Sequence, residues 1–420
     1  MGLAGSSGQG WPAVGDVVAG AKAAGRRVPD EPVTRGRRCG EGYANPGDDP
    51  AKDRDGFVNS SRGGPAAAFH HMLLRMAGWL PDETVYRLRE RLATNHFAHL
   101  AQALTFVALA NRCPVAPGDV TLLRDTLSEA DEDGGPLADL DVVEAPGAPC
   151  YAMSAVHPRR LVERPEQFPY SLDLTGAASG LDNRDSVDLA AVGAAAEAGS
   201  DAAVTGLWRS WRSPAIPTPW PPPRRLYLVL AETDDWDLLP ALAARFQGAL
   251  VGVGEVAPQV EVFAEPDVLP PYQSTALGWS ALLWTAHPTP PVEVAELFDE
   301  VDEVGGPGFA ETHPTLDDVE CDRVLAYLDG GSPLLTTSAR MDDMVAARRG
   351  HGVVPLNLRT DGRWIWTDAV AYFLRHYRLA PDPRLLEHVR DRRYHVPRVD
   401  AVARHRAMAA LETMTFAEDR

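Results

Sequence analysis

The segment Val353–Tyr377, VVPLNLRTDGRWIWTDAVAYFLRHY, restricts the fold of this chain more than any other stretch. Leu356 and Leu358 alternate with polar neighbours before Asp361-Gly362, and Trp364 and Trp366 do so after it. Asp-Gly between two alternating runs is a strong hairpin signal, because both central residues of a type I′ turn take positive φ. Thr367 or Asp368 then caps a helix whose Val370, Phe373, Leu374 and Tyr377 share one face. Strand, tight turn, strand and amphipathic helix follow one another here and call for a packed α+β unit.

A chain of 420 residues has room for two or three domains. Its apolar runs at 226–231 and 281–284 are far shorter than the roughly 20 residues that cross a bilayer. The first residues show no basic stretch followed by an apolar one, so no secretory signal is read there. Met1-Gly2 fits an N-myristoylation pattern only superficially. A cytoplasmic protein with no membrane association is expected. Cys39, Cys113, Cys150 and Cys321 are widely spaced, without a CxxC or Cys/His knuckle, and read as free thiols.

The net charge of −19 argues against nucleic acid as a partner. The charge is uneven: 224–329 carries 20 acids against four arginines, and 330–420 carries 15 arginines against 11 acids. Either the acidic middle docks on the basic end, or it meets a basic partner protein. Lys22 and Lys52 are the only lysines, so Schiff-base chemistry has no amine in the folded part.

Residues 1–65 lack a sustained period and are expected to be a disordered leader. From 66 to 155 the pattern is a helical bundle: Phe69, Leu73 and Met76, then Val85, Leu88 and Leu92, then Leu100, Leu104 and Val107, then Val120, Leu123 and Leu127. A strand is expected near 140–143. Residues 156–223 carry little pattern apart from an Ala-rich stretch at 185–203, and 214–223 (PAIPTPWPPP) reads as a stiff linker, with an SH3-type ligand as its functional alternative. An α+β domain is expected over 224–420. It starts with strand 225–232, helix 236–250 and strand 259–264, then a helix over 270–285. A helix at 317–328, a strand at 334–338, the hairpin unit and two further helices complete it.

No nucleotide-binding loop, nucleophile elbow or HExxH motif occurs, so no catalytic residue, metal or cofactor is assigned. His388 and His395 read as surface or capping histidines. Cys321 lies among acids, which raise a thiol's pKa. One constellation remains: Arg340, Asp342 and Asp343 follow a strand, Arg359 lies in the hairpin, and Asp368 starts the helix. Such a rim can take an anion through Arg340 and Arg359, or a divalent ion through Asp342, Asp343 and Asp368, with Trp364 or Trp366 stacking a planar ligand. The simpler account is turn acids, a helix cap, one structural Arg–Asp pair and two core tryptophans.

The blocks TTSARMDDMV, VPLNLRTDGRWIWTDAVAYFL and LAPDPRLLEHV, with AAFHHMLLRMAGWLPDE near residue 70, resemble a family of uncharacterised proteins from GC-rich bacteria. That resemblance implies no activity. TDGxWxW before a tyrosine-bearing helix is also similar to small immunity-like proteins. The expected function is a non-enzymatic, acidic, cytoplasmic protein that binds a basic protein. The alternative is an enzyme acting on a small anionic molecule at the charged rim.

Overall fold

Prolines begin the helical part of the molecule, since a missing N–H is harmless in a first helical turn. The computed structural model describes residues 63–163, 169–176, 183–198, 203–216, 218, 220–287, 290–302, 306–345 and 352–418. Of the expected leader, 1–62 lies outside these residues, and Pro65 opens α1 (Pro65–Met76). α2 (Asp82–Leu92), α3 (Phe97–Asn111) and α4 (Pro117–Glu129) follow, and their apolar faces close over one core that includes Phe69, Leu88, Leu104 and Leu123. The expected strand near 140–143 is reduced to a single bridge, Val115 to Val142.

The protein is α+β, helical toward its N-terminus and mixed toward its C-terminus. The chain divides between Pro288 and Thr289, not at the Pro-rich run. The reason is a strand absent from the sequence reading. After β1 (Tyr151–Ser154), α5 (Pro158–Glu163), β2 (Leu172–Asp173) and α6 (Ser186–Glu197) comes β3 (Ala203–Pro214), 12 residues long. It pairs antiparallel with β4 (Arg224–Glu232) from Ala203↔Glu232 to Arg212↔Arg224, so the expected linker, of which 217 and 219 lie outside the described residues, falls between two paired strands and not between domains.

α7 (Leu239–Gly252) returns the chain to β5 (Gln259–Phe263), parallel to β4, as the expected crossover. The expected helix over 270–285 is split into α8 (Pro271–Gly278) and β6 (Ala281–Thr285). The sheet order is β2-β6-β3-β4-β5, with β1 also on β3. The helical part packs on this sheet through buried polar links. Arg89 of α2 reaches Glu261 of β5 at 2.7 Å, His70 of α1 lies 2.8 Å from the Val262 carbonyl, and Gln273 of α8 donates to the Leu74 carbonyl at 2.8 Å.

The second unit is built around the hairpin. β7 (Glu293–Val294), the β8–β9 ladder (Glu300–Asp302 with Gly306–Gly308) and α9 (Asp318–Gly330) come first. β10 (Ser332–Leu335), a short β11–β12 ladder (Arg340–Met341 with Val354–Pro355), β13 (Leu358–Thr360) and β14 (Trp364–Thr367) follow. The chain ends in α10 (Asp368–Tyr377), α11 (Pro383–Asp391) and α12 (Ala401–Glu418). The sheet order is β10-β13-β14-β7. β14 is buried on both faces: Trp364 and Trp366 join the core of α9 and α10, while Ile365 meets Ala407 and Leu411 of α12. Among the described residues no helix is long and apolar enough to cross a membrane.

Two details of the hairpin differ from expectation. Thr360 pairs with Ile365, so Gly362 and Arg363 are the central residues, and only Gly362 has positive φ (+88°). Glycine at the first central position is the type II′ pattern, not type I′. Thr367 is the N-cap of α10, yet its buried hydroxyl makes no capping bond.

Gly331, just past α9, lies under the Trp366 indole: a Cβ there would sit 2.8 Å from Cη2 and closer still to Cζ2. Gly331→Ala is therefore expected to destabilise this unit by about 1–3 kcal/mol through overpacking. Urea unfolding followed by tryptophan fluorescence checks this, and an unchanged midpoint would refute the close approach.

Candidate functional site

The charges of the expected rim sit on elements that the hairpin holds together, and they bond chiefly to one another and to the backbone. Arg359 of β13 donates from Nε to Asp368 Oδ1 at 2.7 Å and from Nη1 to the carbonyls of Asp329 and Gly331 at 3.0 and 3.1 Å. The other Asp368 oxygen accepts from Asn357 Nδ2 at 2.8 Å, and Asn357 Oδ1 accepts from the Thr337 amide at 3.0 Å. Arg359, Asp368 and Asn357 thus tie the end of α9, the β10 side of the sheet and the start of α10.

The remaining rim residues go elsewhere. Asp343 is buried and accepts from Tyr377 Oη, Tyr372 Oη (3.0 Å) and the Val345 amide (2.9 Å). Tyr377 is pushed up to about 12, first by its hydrogen bond to Asp343 and then by burial. Asp342 accepts from the Gly352 amide at 2.8 Å, and exposed Arg340 donates to the Val353 carbonyl at 3.3 Å. Trp366 is buried, with Nε1 donating to the Leu328 carbonyl at 3.2 Å, and so presents no face for a ligand. Asp342, Asp343 and Asp368 do not converge. Among the described residues no group of three or more His, Cys, Asp or Glu is placed to hold a metal ion. A shallow, mostly apolar indentation lies elsewhere among the described residues, lined by Leu297, Phe309, Phe373, Leu379 and Pro381 with Glu296.

The centre of the hairpin is Asp361. Its Oδ1 accepts from the amides of Arg363 and Trp364 at 2.8 and 2.7 Å; its Oδ2 lies 2.5 Å from Tyr327 Oη of α9 and 2.6 Å from His388 Nε2 of α11. Burial alone would raise this carboxyl. The hydrogen bonds from Tyr327, the two amides and His388 outweigh it, and the pKa lies below the ordinary aspartate value. A carboxylate so saturated is a weak base with no oxygen left for a substrate. Tyr327 and His388 escaped the sequence reading because they lie 34 and 27 residues from Asp361, on other helices. His395 is exposed and takes no part. Cys321 is buried and its thiol is raised, by burial first and Asp322 second, which leaves it inert.

No protein-family model, no curated protein and no solved structure matches the chain.

Four acids of 289–329 pair with the basic end of the same unit. Glu293 pairs with Arg363 and Arg384, Asp318 with Arg378, Glu320 with Arg390, and Asp329 with Arg375. Glu296, Glu311 and Asp322 are exposed and have no ion pair among the described residues. A denser acidic surface lies on the other unit, at the end of α4 and just beyond. Asp125, Glu129, Asp131, Glu132, Asp133, Asp139, Asp141 and Glu144 are all exposed and without an ion-pair partner among the described residues. Arg124 is the only basic residue in 117–144, so nothing in this stretch neutralises them.

Asp361→Asn is expected to cost about 3 kcal/mol, because it removes the charge that four donors surround. Since the folded pKa is lowered, the stabilisation is complete above about pH 3.9 and is lost as pH falls through the folded value. Urea unfolding from pH 7 to pH 2 should show an acid limb that is shallower in the variant; equal limbs would show that Asp361 titrates normally.

Proposed function

We propose that this is a non-enzymatic binding protein, immunity-like or regulatory, that engages a basic protein surface. The observation that carries the reading is the unpaired carboxylate surface at 125–144, set against a hairpin whose charges are consumed internally. The resemblance of TDGRWIW and its following helix to immunity-like proteins also supports it. Unpaired carboxylates steer a basic partner by long-range attraction and add little stability to their own fold. The contact surface is thereby drawn away from the 290–325 stretch, where Glu293, Asp299, Asp318 and Glu320 already have arginine or histidine partners.

The enzyme reading would need the rim residues to present free atoms to a common cavity. Arg359, Asp368 and Asp343 instead face partners within the fold, which favours the binding reading.

A fluorescent arginine-rich peptide tests the location of the surface by titration against the full chain. Substituting Asp125→Asn, Glu129→Gln and Glu132→Gln together should weaken binding at least about tenfold, with a reduced salt slope. Glu311→Gln with Asp322→Asn should change it less than about twofold. Equal losses from both sets, or binding that ignores salt, would refute the reading.

A further inference from the structure

His313 has a hydrogen-bond acceptor on each side of its ring. Nδ1 lies 2.7 Å from Asp299 Oδ2, and Nε2 lies 2.9 Å from the Ala380 carbonyl. The side chain is only 8% exposed, and its ring meets that of Phe309 edge to face at 4.9 Å. Separate stretches of the second unit converge on this ring: the residue before β8, the segment that follows β9, and the turn between α10 and α11.

A carbonyl oxygen only accepts, so Nε2 carries a proton. Asp299 is an acceptor as well, since its Oδ2 takes the Ala310 amide at 2.8 Å. Burial pushes this carboxyl up, but the Ala310 amide and His313 outweigh burial and hold it below the ordinary aspartate value. Ionised, Asp299 only accepts, so Nδ1 carries a proton too. The two contacts together require an imidazolium. A neutral ring has a single N–H and serves one of the two acceptors.

The other charged and titratable groups on these segments are engaged elsewhere or face solvent. Arg378 pairs with Asp318, Asp382 takes the amides of Glu296 and Arg384, and Tyr377 bonds to Asp343. Glu296 and Glu311 are exposed. Among the described residues, Asp299 is the one charged group bonded to the ring.

We propose that His313 is a proton-operated clasp on the turn that precedes α11. When the ring loses a proton, the remaining N–H stays on Nδ1, because a bond to a carboxylate is stronger than one to a neutral carbonyl. The Nε2 lone pair then faces the Ala380 oxygen, and that end of the clasp opens. The turn stays attached through the Ala380 amide on the Pro314 carbonyl at 2.9 Å and the Leu316 amide on the Arg378 carbonyl at 3.0 Å. The release is therefore local. It frees Leu379, Ala380 and Pro381, which line the apolar indentation beside Phe309. The clasp is closed on the acid side of the His313 titration and opens as pH rises through it. In acid it opens only as pH falls through the lowered value of Asp299, which lies under about 3.9.

Nitrogen-15 NMR of the histidine rings in the full chain tests this, read from about pH 5 to about pH 9. Both ring nitrogens of His313 should start protonated, and Nε2 should lose its proton while Nδ1 keeps it. The Ala380 amide shift should follow the same curve, and this step should be lost in His313→Gln. Asp299→Asn keeps an acceptor for the Ala310 amide but removes the charge. In that variant the neutral ring should carry its proton on Nε2, still bonded to Ala380, and the Ala380 step should disappear although the histidine remains. A purely structural contact would not exchange the protonated nitrogen in this way, and the parent titration stands even if His313→Gln folds poorly. A ring already neutral at the acid end, loss of the Nδ1 proton first, or an Ala380 amide that stays still while the ring titrates would overturn the proposal.

Discussion

Arginine–carboxylate pairing inside the larger unit is the constraint on which the rest of this structure depends. β3 can occupy the middle of the sheet only because its arginines are matched. Arg209 pairs with Asp188 of α6, whose other oxygen accepts from Tyr227 at 2.8 Å. Arg212 donates to both oxygens of Asp82 at 2.7 and 2.6 Å and stacks over Tyr151 at 4.5 Å. Asp82 begins α2, so the pair holds a helix N-terminus against the sheet. Unpaired, a buried guanidinium would cost several kcal/mol, and β3 would have to leave the interior.

The hairpin unit obeys the same rule with different groups. Asp361 is tolerated inside because two amides, a tyrosine and a histidine surround it. Arg359 and Asp368 satisfy one another and the carbonyls at the end of α9. Charges placed this way hold secondary-structure elements in register and leave little for a ligand. Among the described groups that still face solvent are the carboxylates beyond α4.

What could be read from the sequence follows the range of the interactions. The hairpin, the amphipathic α10, the first four helices and the β4–α7–β5 crossover are local patterns of apolar residues, and they were legible. β3 was not, because AVTGLWRSWRSP has arginines at buried positions, and their partners Asp188 and Asp82 lie 21 and 130 residues away. The Pro-rich run looked like a linker because nothing local shows that the strands on either side pair. β6 was hidden in an apolar stretch continuous with α8, where helix and strand patterns look alike over a few residues. The charged rim was half legible: its simpler account held one structural Arg–Asp pair without naming it, which is Arg359–Asp368, while Asp343 turned to two tyrosines that spacing does not connect to it.

A double-mutant cycle on Arg209 and Asp188 tests the central claim most directly, using Arg209→Met and Asp188→Leu with stability read by urea unfolding. Each single change strands one buried charge and is predicted to cost about 3–5 kcal/mol, whereas the double change should recover much of that loss. Small single effects that simply add would contradict it, for the central strand would then not owe its place to matched charge.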